Sequence, residues 1–424
     1  VTMISIPHLR ENYDEILIAF KKRDFDAKNV IDNLLNEDKN RREIQVKLDN
    51  KLFESNQLTK EIGKLYKDGK TNEANKKKSL SLKIKNESKN LVEKLSNCEQ
   101  SIKELQYKIP NIPNIRVPNG KSSTDNKIIF ESNKKNKSSV GLTHWELAKK
   151  YNLISFDLGS KISGSGFPVY IGKGAKLQRA LINYFIDFNT KEGYEEIQVP
   201  LLVNSKSANS TGQLPDKDDQ MYHIAKDNLY LIPTSEVPVT NIYRNTLLNL
   251  KQLPIKMTSY TPCFRREAGS YGSDVRGLNR LHQFDKVEIV RIENPECSYD
   301  ALDKMLNHVK KLLHSLELPY RILNLCGGDL GFTSAITYDF EIFSSAQNKW
   351  LEVSSVSNFE TFQSIRLKLK YRDINGKNQF AHTLNGSSLA LPRVMAGILE
   401  NNQTNDSIKI PKVLIPYTDF KLIN

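Results

Sequence analysis

The chain reads as an α+β protein: an antiparallel β-sheet flanked by helices, preceded by a long antiparallel α-helical hairpin. Three observations predict this. Residues 28–109 carry apolar side chains at three- and four-residue steps, broken once by Lys67-Asp68-Gly69-Lys70, the mark of two coiled-coil helices joined by a turn. Residues 254–292 hold two alternating segments separated by the Gly/Ser-rich run 268–277, which reads as two strands and a loop. Residues 174–190 and 297–317 place their apolar residues on one helical face, as helices covering a sheet do.

Residues 1–25 supply Ile4, Ile6, Leu9, Ile16, Leu17 and Phe20, enough for a short packed segment with one helix. The first long helix, about 28–66, has Ile44, Leu48, Leu52, Leu58, Ile62 and Leu65 as its seam, with Ser55 filling one step. The second, about 72–109, has Ile84, Ser88, Leu91, Leu95, Cys98, Ile102, Leu105 and Ile109. At about 1.5 Å per residue each helix is roughly 50 Å long, so the hairpin is expected to project from the body. Its outer faces are rich in lysine (Lys60, Lys64, Lys76, Lys77, Lys78, Lys83, Lys85). Such charge suits a solvated coiled coil and also a nucleic-acid backbone, held by charge and shape. Pro110, Pro113 and Pro118 end the second helix, and the polar stretch 119–139 reads as a linker or surface loop.

Composition bounds the function. The chain has 424 residues, 38% hydrophobic and 26% charged, with a formal charge of +13, consistent with a sizeable core and a polyanionic partner or substrate. Its four cysteines, Cys98, Cys263, Cys297 and Cys326, are far apart and show no metal-ligand spacing, so no structural zinc is expected. No apolar run is long enough to span a bilayer and no signal-like block opens the chain. The expectation is a cytoplasmic protein with no membrane association.

The pair of strands in 254–292 carries the chemistry. The first ends in Phe264-Arg265-Arg266-Glu267, and the second runs His282-Gln283-Phe284-Asp285-Lys286-Val287-Glu288. Alternation puts Arg265 and Glu267 on one face, and His282, Phe284, Lys286 and Glu288 on one face. A guanidinium holds phosphate or carboxylate by paired hydrogen bonds, and a ring stacks on a base. Further on stand Thr234-Ser235-Glu236, then Glu352-Val353-Ser354-Ser355, whose carboxylate and hydroxyl are oxygen ligands of the kind Mg²⁺ accepts beside phosphate. Near the end comes His382-Thr383-Leu384-Asn385-Gly386-Ser387-Ser388-Leu389-Ala390-Leu391-Pro392-Arg393.

In this order these segments resemble the seryl-tRNA synthetases, a class II aminoacyl-tRNA synthetase family of bacterial type. Residues 264–288, with the loop Gly269-Ser270-Tyr271-Gly272, look like motif 2. The helix, strand and proline of 174–200 look like motif 1, and residues 382–393 like motif 3. Ser388 and Pro392 stand where the family is commonly glycine. The resemblance implies an N-terminal tRNA-binding domain at 1–112 and a catalytic domain at 113–424. It implies ligation of L-serine to serine tRNA through a seryl-adenylate, with ATP as substrate and Mg²⁺ beside it, in a homodimer; selenocysteine tRNA is a further acceptor the family admits.

Residue by residue, it implies a serine site of Thr234, Ser235, Glu236, Arg265, Glu288 and Ser387. The implied ATP site is Arg265, Arg266, Glu267, Phe284, Glu352, Val353, Ser354, Ser355 and Arg393, with Glu352 and Ser355 holding Mg²⁺. Arg265 and Arg393 are the implied catalytic pair. Two other readings stand beside it: a non-catalytic coiled-coil RNA-binding protein, which leaves the separated Arg, Glu and Glu-x-x-Ser positions without a purpose, and a synthetase-like enzyme loading a carrier protein, whose relatives generally lack the long arm.

Overall fold

The computed structural model describes residues 6–132, 141–216, 219–267 and 276–424. The chain divides into two compact units: Val1–Lys21 with Phe25–Pro110, and Lys22–Asp24 with Asn111–Asn424. The short piece 22–24 goes with the larger unit because the Arg23 guanidinium donates to the carbonyls of Asn111 and Leu330, both at 2.8 Å.

The first unit contains α1 (Ala27–Lys67) and α2 (Thr71–Lys108), 41 and 38 residues long, packed side by side. Two short helices, Ile6–Glu11 and Tyr13–Lys21, precede them where one was expected. The seam differs from the expected one at a single position. Leu52 is 47% exposed, because strict four-three stepping from Leu48 lands on Lys51 and then Ser55. Lys51 meets Glu87 of α2 at 3.0 Å instead.

The second unit is built on an eight-stranded sheet. Its strands are β1 (Lys127–Glu131), β2 (Glu195–Glu196), β3 (Ile255–Phe264), β4 (Gln283–Glu293), β5 (Tyr320–Asn324), β6 (Ile336–Ser344), β7 (Lys349–Glu360) and β8 (His382–Ala390). They lie in the order β1-β5-β6-β7-β8-β4-β3-β2. Neighbours are antiparallel except β2 and β3, which run parallel. Two expectations need correction. The polar stretch 119–139 contains the edge strand β1, because Ile128, Ile129 and Phe130 form a β-prone triplet that pairs with β5. The strand expected before Pro200 is reduced to the two residues of β2, followed after Pro200 by a separate short strand, Leu202–Asn204, in another sheet.

Three helices cover one face of the sheet: α3 (Lys173–Lys191), α5 (Ser298–Ser315) and α6 (Leu391–Asn401). Leu177, Phe185, Met305, Val309, Val394 and Ile398 from these helices share a core with Val287, Ile289, Phe340, Val356 and Leu384 of the strands. Gly386 lies in that core because a side chain there would meet Val356, Met305 and Ile289 at 3.2–3.4 Å. The opposite face carries polar residues of the same strands, beside a second, smaller core in which Met257, Val290 and Ile292 pack with Val239, Leu248, Leu367 and Tyr371. Among the described residues no helix is long and apolar enough to cross a membrane.

Near the start of α3 the backbone of Gly174 passes so close to Leu153 that a Cβ would sit 2.1 Å from its carbonyl oxygen. Gly174→Ala should therefore destabilise the protein by about 1–3 kcal/mol, the usual cost of overpacking against an immobile group. Chemical denaturation reads this directly, and an unchanged midpoint would contradict the close approach.

Candidate functional site

Register decides what meets on the opposite face. Glu288 of β4 stands opposite Ser259 of β3 and Ser387 of β8, while Phe284 stands opposite Cys263 and Lys286 opposite Thr261. Directly opposed residues share a face, so Arg265, Phe284, Lys286, Glu288 and Ser387 all lie on it. Arg265 continues the pairing beyond β3, its N–H donating to the His282 carbonyl at 2.9 Å. Asn385, two residues before Ser387, shares the face by the same alternation.

Glu288 is the centre of this cluster and is 1% exposed. Its Oε1 accepts from Asn385 Nδ2 at 2.5 Å and from Ser387 Oγ at 3.4 Å. Its Oε2 accepts from Thr234 Oγ1 at 3.2 Å and meets Lys286 Nζ at 2.5 Å. Lys286 also donates to Thr234 Oγ1 at 3.0 Å, and the Thr234 hydroxyl accepts from the backbone N–H of Glu236 at 3.2 Å. Glu236 opens α4 (Glu236–Asn241), and its Oε1 accepts from Gln363 Nε2 at 2.6 Å. Gln363 is itself held by Thr383 Oγ1 at 2.8 Å. Burial, with Glu288 alongside, pushes the Glu236 carboxyl up to about 7. Ser235 is fully buried, and its hydroxyl has no hydrogen-bond partner.

Arg265 sits beside this pocket, half-buried. Its guanidinium lies over the Phe284 ring, 5.3 Å from the centroid, and Nε donates to the Pro233 carbonyl at 3.4 Å. Arg266 and Glu267 form ion pairs of their own. Arg266 is exposed and pairs with Asp219 at 3.3 Å, and Glu267, at φ +49°, pairs with Arg280 at 3.0 Å. The loop Gly269-Ser270-Tyr271-Gly272 lies outside the described residues.

A second group forms on β7 and α6. Ser355 Oγ donates to Glu352 Oε1 at 3.2 Å. Arg393 Nη1 donates to the Glu352 carbonyl at 2.7 Å, and Arg393 Nε to the Asn279 carbonyl at 3.0 Å. Asp339 of β6, opposite Ser355, has a buried Oδ1 with no partner. Burial and the neighbouring Glu352 push its carboxyl well above the usual range. A carboxylate and hydroxyl in contact, beside a carboxyl short of positive charge, fit a hard divalent cation shared with phosphate. Between the two groups, Ser354 Oγ donates to the Ser387 carbonyl at 2.6 Å, while Val353 points into the core. Among the described residues no group of three or more His, Cys, Asp or Glu is placed to hold a metal.

Sequence reasoning missed Asn385 and Gln363, and it left Lys286 and Asp339 without a role. Period two from Ser387 points to Asn385, and the same period from Glu288 points to Lys286. Nothing local marks Gln363, which lies on the short helix Phe362–Leu367 after β7, or Asp339, whose environment comes from the neighbouring strand.

Two family models match the chain: the tRNA synthetase class II core domain (G, H, P, S and T) over residues 221–402, and the seryl-tRNA synthetase N-terminal domain over residues 3–113. A serine–tRNA ligase of Salinibacter ruber is 46% identical over 432 residues, covering 99% of each chain. A serine–tRNA ligase of a Hydrogenobaculum species is 44% identical, covering 98% of this chain and 99% of its own. Among solved structures, the seryl-tRNA synthetase of Pyrococcus horikoshii complexed with ATP superposes with a TM-score of 0.91 at 31% identity, covering 99% of each chain.

The raised pKa of Glu236 has a stability consequence. The unfolded carboxyl ionises near 4.5 and the folded one near 7, so between these values unfolding releases a proton. The contribution of Glu236 is therefore present below about pH 4.5 and lost as pH rises through 7. Glu236→Gln keeps the Gln363 bond, and in the ligand-free protein it should flatten the fall in stability across that window, by up to about 3 kcal/mol. Denaturation midpoints from pH 4.5 to 8 check this; parallel curves for the two proteins would contradict it.

Proposed function

The chain belongs to the seryl-tRNA synthetases, and from that premise we propose how its residues carry out the ligation of serine to tRNA. The serine carboxylate attacks the α-phosphorus of ATP. The new bond is carboxylate oxygen to phosphorus, the bond broken runs from the α-phosphorus to the bridging oxygen, and pyrophosphate leaves. A terminal ribose hydroxyl of the tRNA then attacks the seryl carbonyl, and AMP leaves. Neither step needs a strong protein base; both need alignment and neutralised charge.

The observation that carries the serine assignment is the buried Glu288, its oxygens ringed by Thr234, Lys286, Asn385 and Ser387. In this reading Thr234, Ser235, Glu236, Glu288 and Ser387 form the serine pocket, a cluster of short, fixed polar groups matched to a small hydroxylated amino acid. A site built to bond a hydroxyl rejects analogues lacking it, because its own groups are left unpaired. Threonine is excluded by crowding against its methyl.

Arg265 binds the serine carboxylate and the α-phosphate, and Phe284 stacks on adenine. Glu267 accepts from the adenine amino group, and Arg266 and Arg393 contact the outer phosphates. Residues 352–355 complete the ATP site, Val353 and Ser354 through their backbone. Glu352 and Ser355 would hold Mg²⁺, which neutralises phosphate charge when bound. We further propose that residues 1–112 are the tRNA-binding domain, that α1 and α2 contact serine tRNA through their lysines, that 113–424 is the catalytic domain, and that two copies pair through residues 174–200. The protein is placed in the cytoplasm, and selenocysteine tRNA is the second acceptor to try.

Amino-acid-dependent ATP–pyrophosphate exchange tests the reading. Serine should support exchange and the other amino acids should not. Glu288→Ala should raise the serine requirement by two orders of magnitude or more, from about 3 kcal/mol of lost and unpaired contacts, while ATP binding persists; unchanged serine kinetics would remove Glu288 from the pocket. Deleting residues 28–109 should leave exchange largely intact and reduce aminoacylation of serine tRNA at least tenfold through lost phosphate contacts. Equal loss of both activities would contradict the role given to the arm.

A further inference from the structure

Arg393 is held by a buried polar network that reaches far from the phosphate site. Its Nε and Nη1 donate to two backbone carbonyls, of Asn279 and Glu352, at 3.0 and 2.7 Å. These bonds fix the plane of the guanidinium and use two of its five N–H groups, leaving the others for a ligand. The Glu352 carbonyl belongs to a strand. The Asn279 carbonyl belongs to the segment 276–279, which has no regular structure of its own and needs another support.

That support can be traced bond by bond. Asn279 Nδ2 donates to Gln347 Oε1 at 2.9 Å. Gln347 Nε2 donates to Glu400 Oε1 at 3.0 Å. Glu400 Oε1 also accepts from the backbone N–H of His144 at 3.0 Å and meets its Nδ1 at 2.7 Å, and Ser344 Oγ donates to Oε2. His144 closes the circuit, because its Nε2 accepts from the backbone N–H of Leu278, next to Asn279, at 2.8 Å. An Nε2 that accepts carries no proton, so Nδ1 carries it and donates to Glu400. His144 and Glu400 are fully buried, and Leu278 and Asn279 nearly so. Gly277 completes the fit: at φ +69° a Cβ there would come within 2.3 Å of His144 Nε2. Glu400 lies on α6, the helix that carries Arg393, two turns further along.

We propose that Gln347 and the buried Glu400–His144 pair are positioning residues for Arg393: they clamp Leu278 and Asn279 so that the Asn279 carbonyl holds the guanidinium in register for the ATP phosphates. This deepens the ATP-site reading above and rests on it. A charge on a buried network that touches no ligand contributes to ATP binding only through the group it orients, and that dependence distinguishes positioning from general stabilisation.

The experiment is a double-mutant cycle on the full chain, read as the ATP dissociation constant by calorimetry. Gln347 is half-buried, so Gln347→Ala is the variant most certain to fold, and Glu400→Gln is the second. Each should weaken ATP about tenfold, in line with the cost of a misplaced binding group, and leave serine affinity within about twofold. In an Arg393→Ala background the same substitutions should weaken ATP less than about twofold further, since the group they orient is gone. A tenfold loss repeated in that background, or equal losses of ATP and serine affinity, would overturn the proposal. Absence of serine-dependent exchange in an unaltered chain that still binds ATP would instead overturn the function assigned above, and the cycle would still be readable. An unaltered chain that binds no ATP would overturn both.

Discussion

The register between β3, β4 and β8 is the constraint on which the rest depends. With a side-chain period of two, one slip would carry Glu288 into the core and Val287 or Ile289 onto the polar face. The three helices prevent this, because Val287, Ile289, Val356 and Leu384 are the residues they cover. The apolar packing therefore sets the polar face as well. The hydrophobic core is what aims Glu288, Asn385 and Ser387 at one another.

That polar face is electrostatically unfinished. Glu236 and Glu288 are both buried, with Lys286 and Arg265 as the nearby positive groups. Lys286 is committed to Glu288 and Thr234, so Glu236 is left with the neutral amide of Gln363 as its bonded partner. Its carboxyl therefore holds a proton to about pH 7. A ligand bringing an ammonium group into this pocket would supply the missing charge and favour the ionised form. The same logic runs through the second group, where burial and the neighbouring Glu352 hold the Asp339 carboxyl well above its usual range. In the function proposed above, the serine ammonium would meet the carboxylates at one end and phosphate-bound Mg²⁺ those at the other.

The anchoring of Arg393 shows the other requirement of such a site. An arginine that is to grip phosphate needs its plane fixed, and backbone carbonyls fix that of Arg393, with the Glu352 carboxylate 3.9 Å from Nη1. Those carbonyls must in turn be fixed. β7 fixes one by its ladder, while the buried hydrogen-bond network around Glu400 fixes the other. A segment without secondary structure is made rigid by hydrogen-bonded side chains inside the core, where such bonds are strong because little water competes.

Much of this was legible in the residues. Heptad stepping located α1 and α2 to within a residue or two, because a 3.5-residue repeat is a local property. Alternation and the Gly/Ser break located β3 and β4, and the ordered motifs named the family. The edge strand β1 was hidden in a polar stretch because an edge strand needs only one partner and little apolar surface. The placements of Asn385, Gln363, Asp339 and the His144–Glu400 pair came only with the tertiary structure. Hydrogen-bond partners 97, 127 and 256 residues apart leave no periodic trace, since nothing local distinguishes a buried polar residue from an exposed one. The sequence by itself determined which elements form and which chemistry they carry. Only the packing of three helices against one face of a sheet decided which polar side chains are driven together out of water, and burial is what turns those side chains into a site.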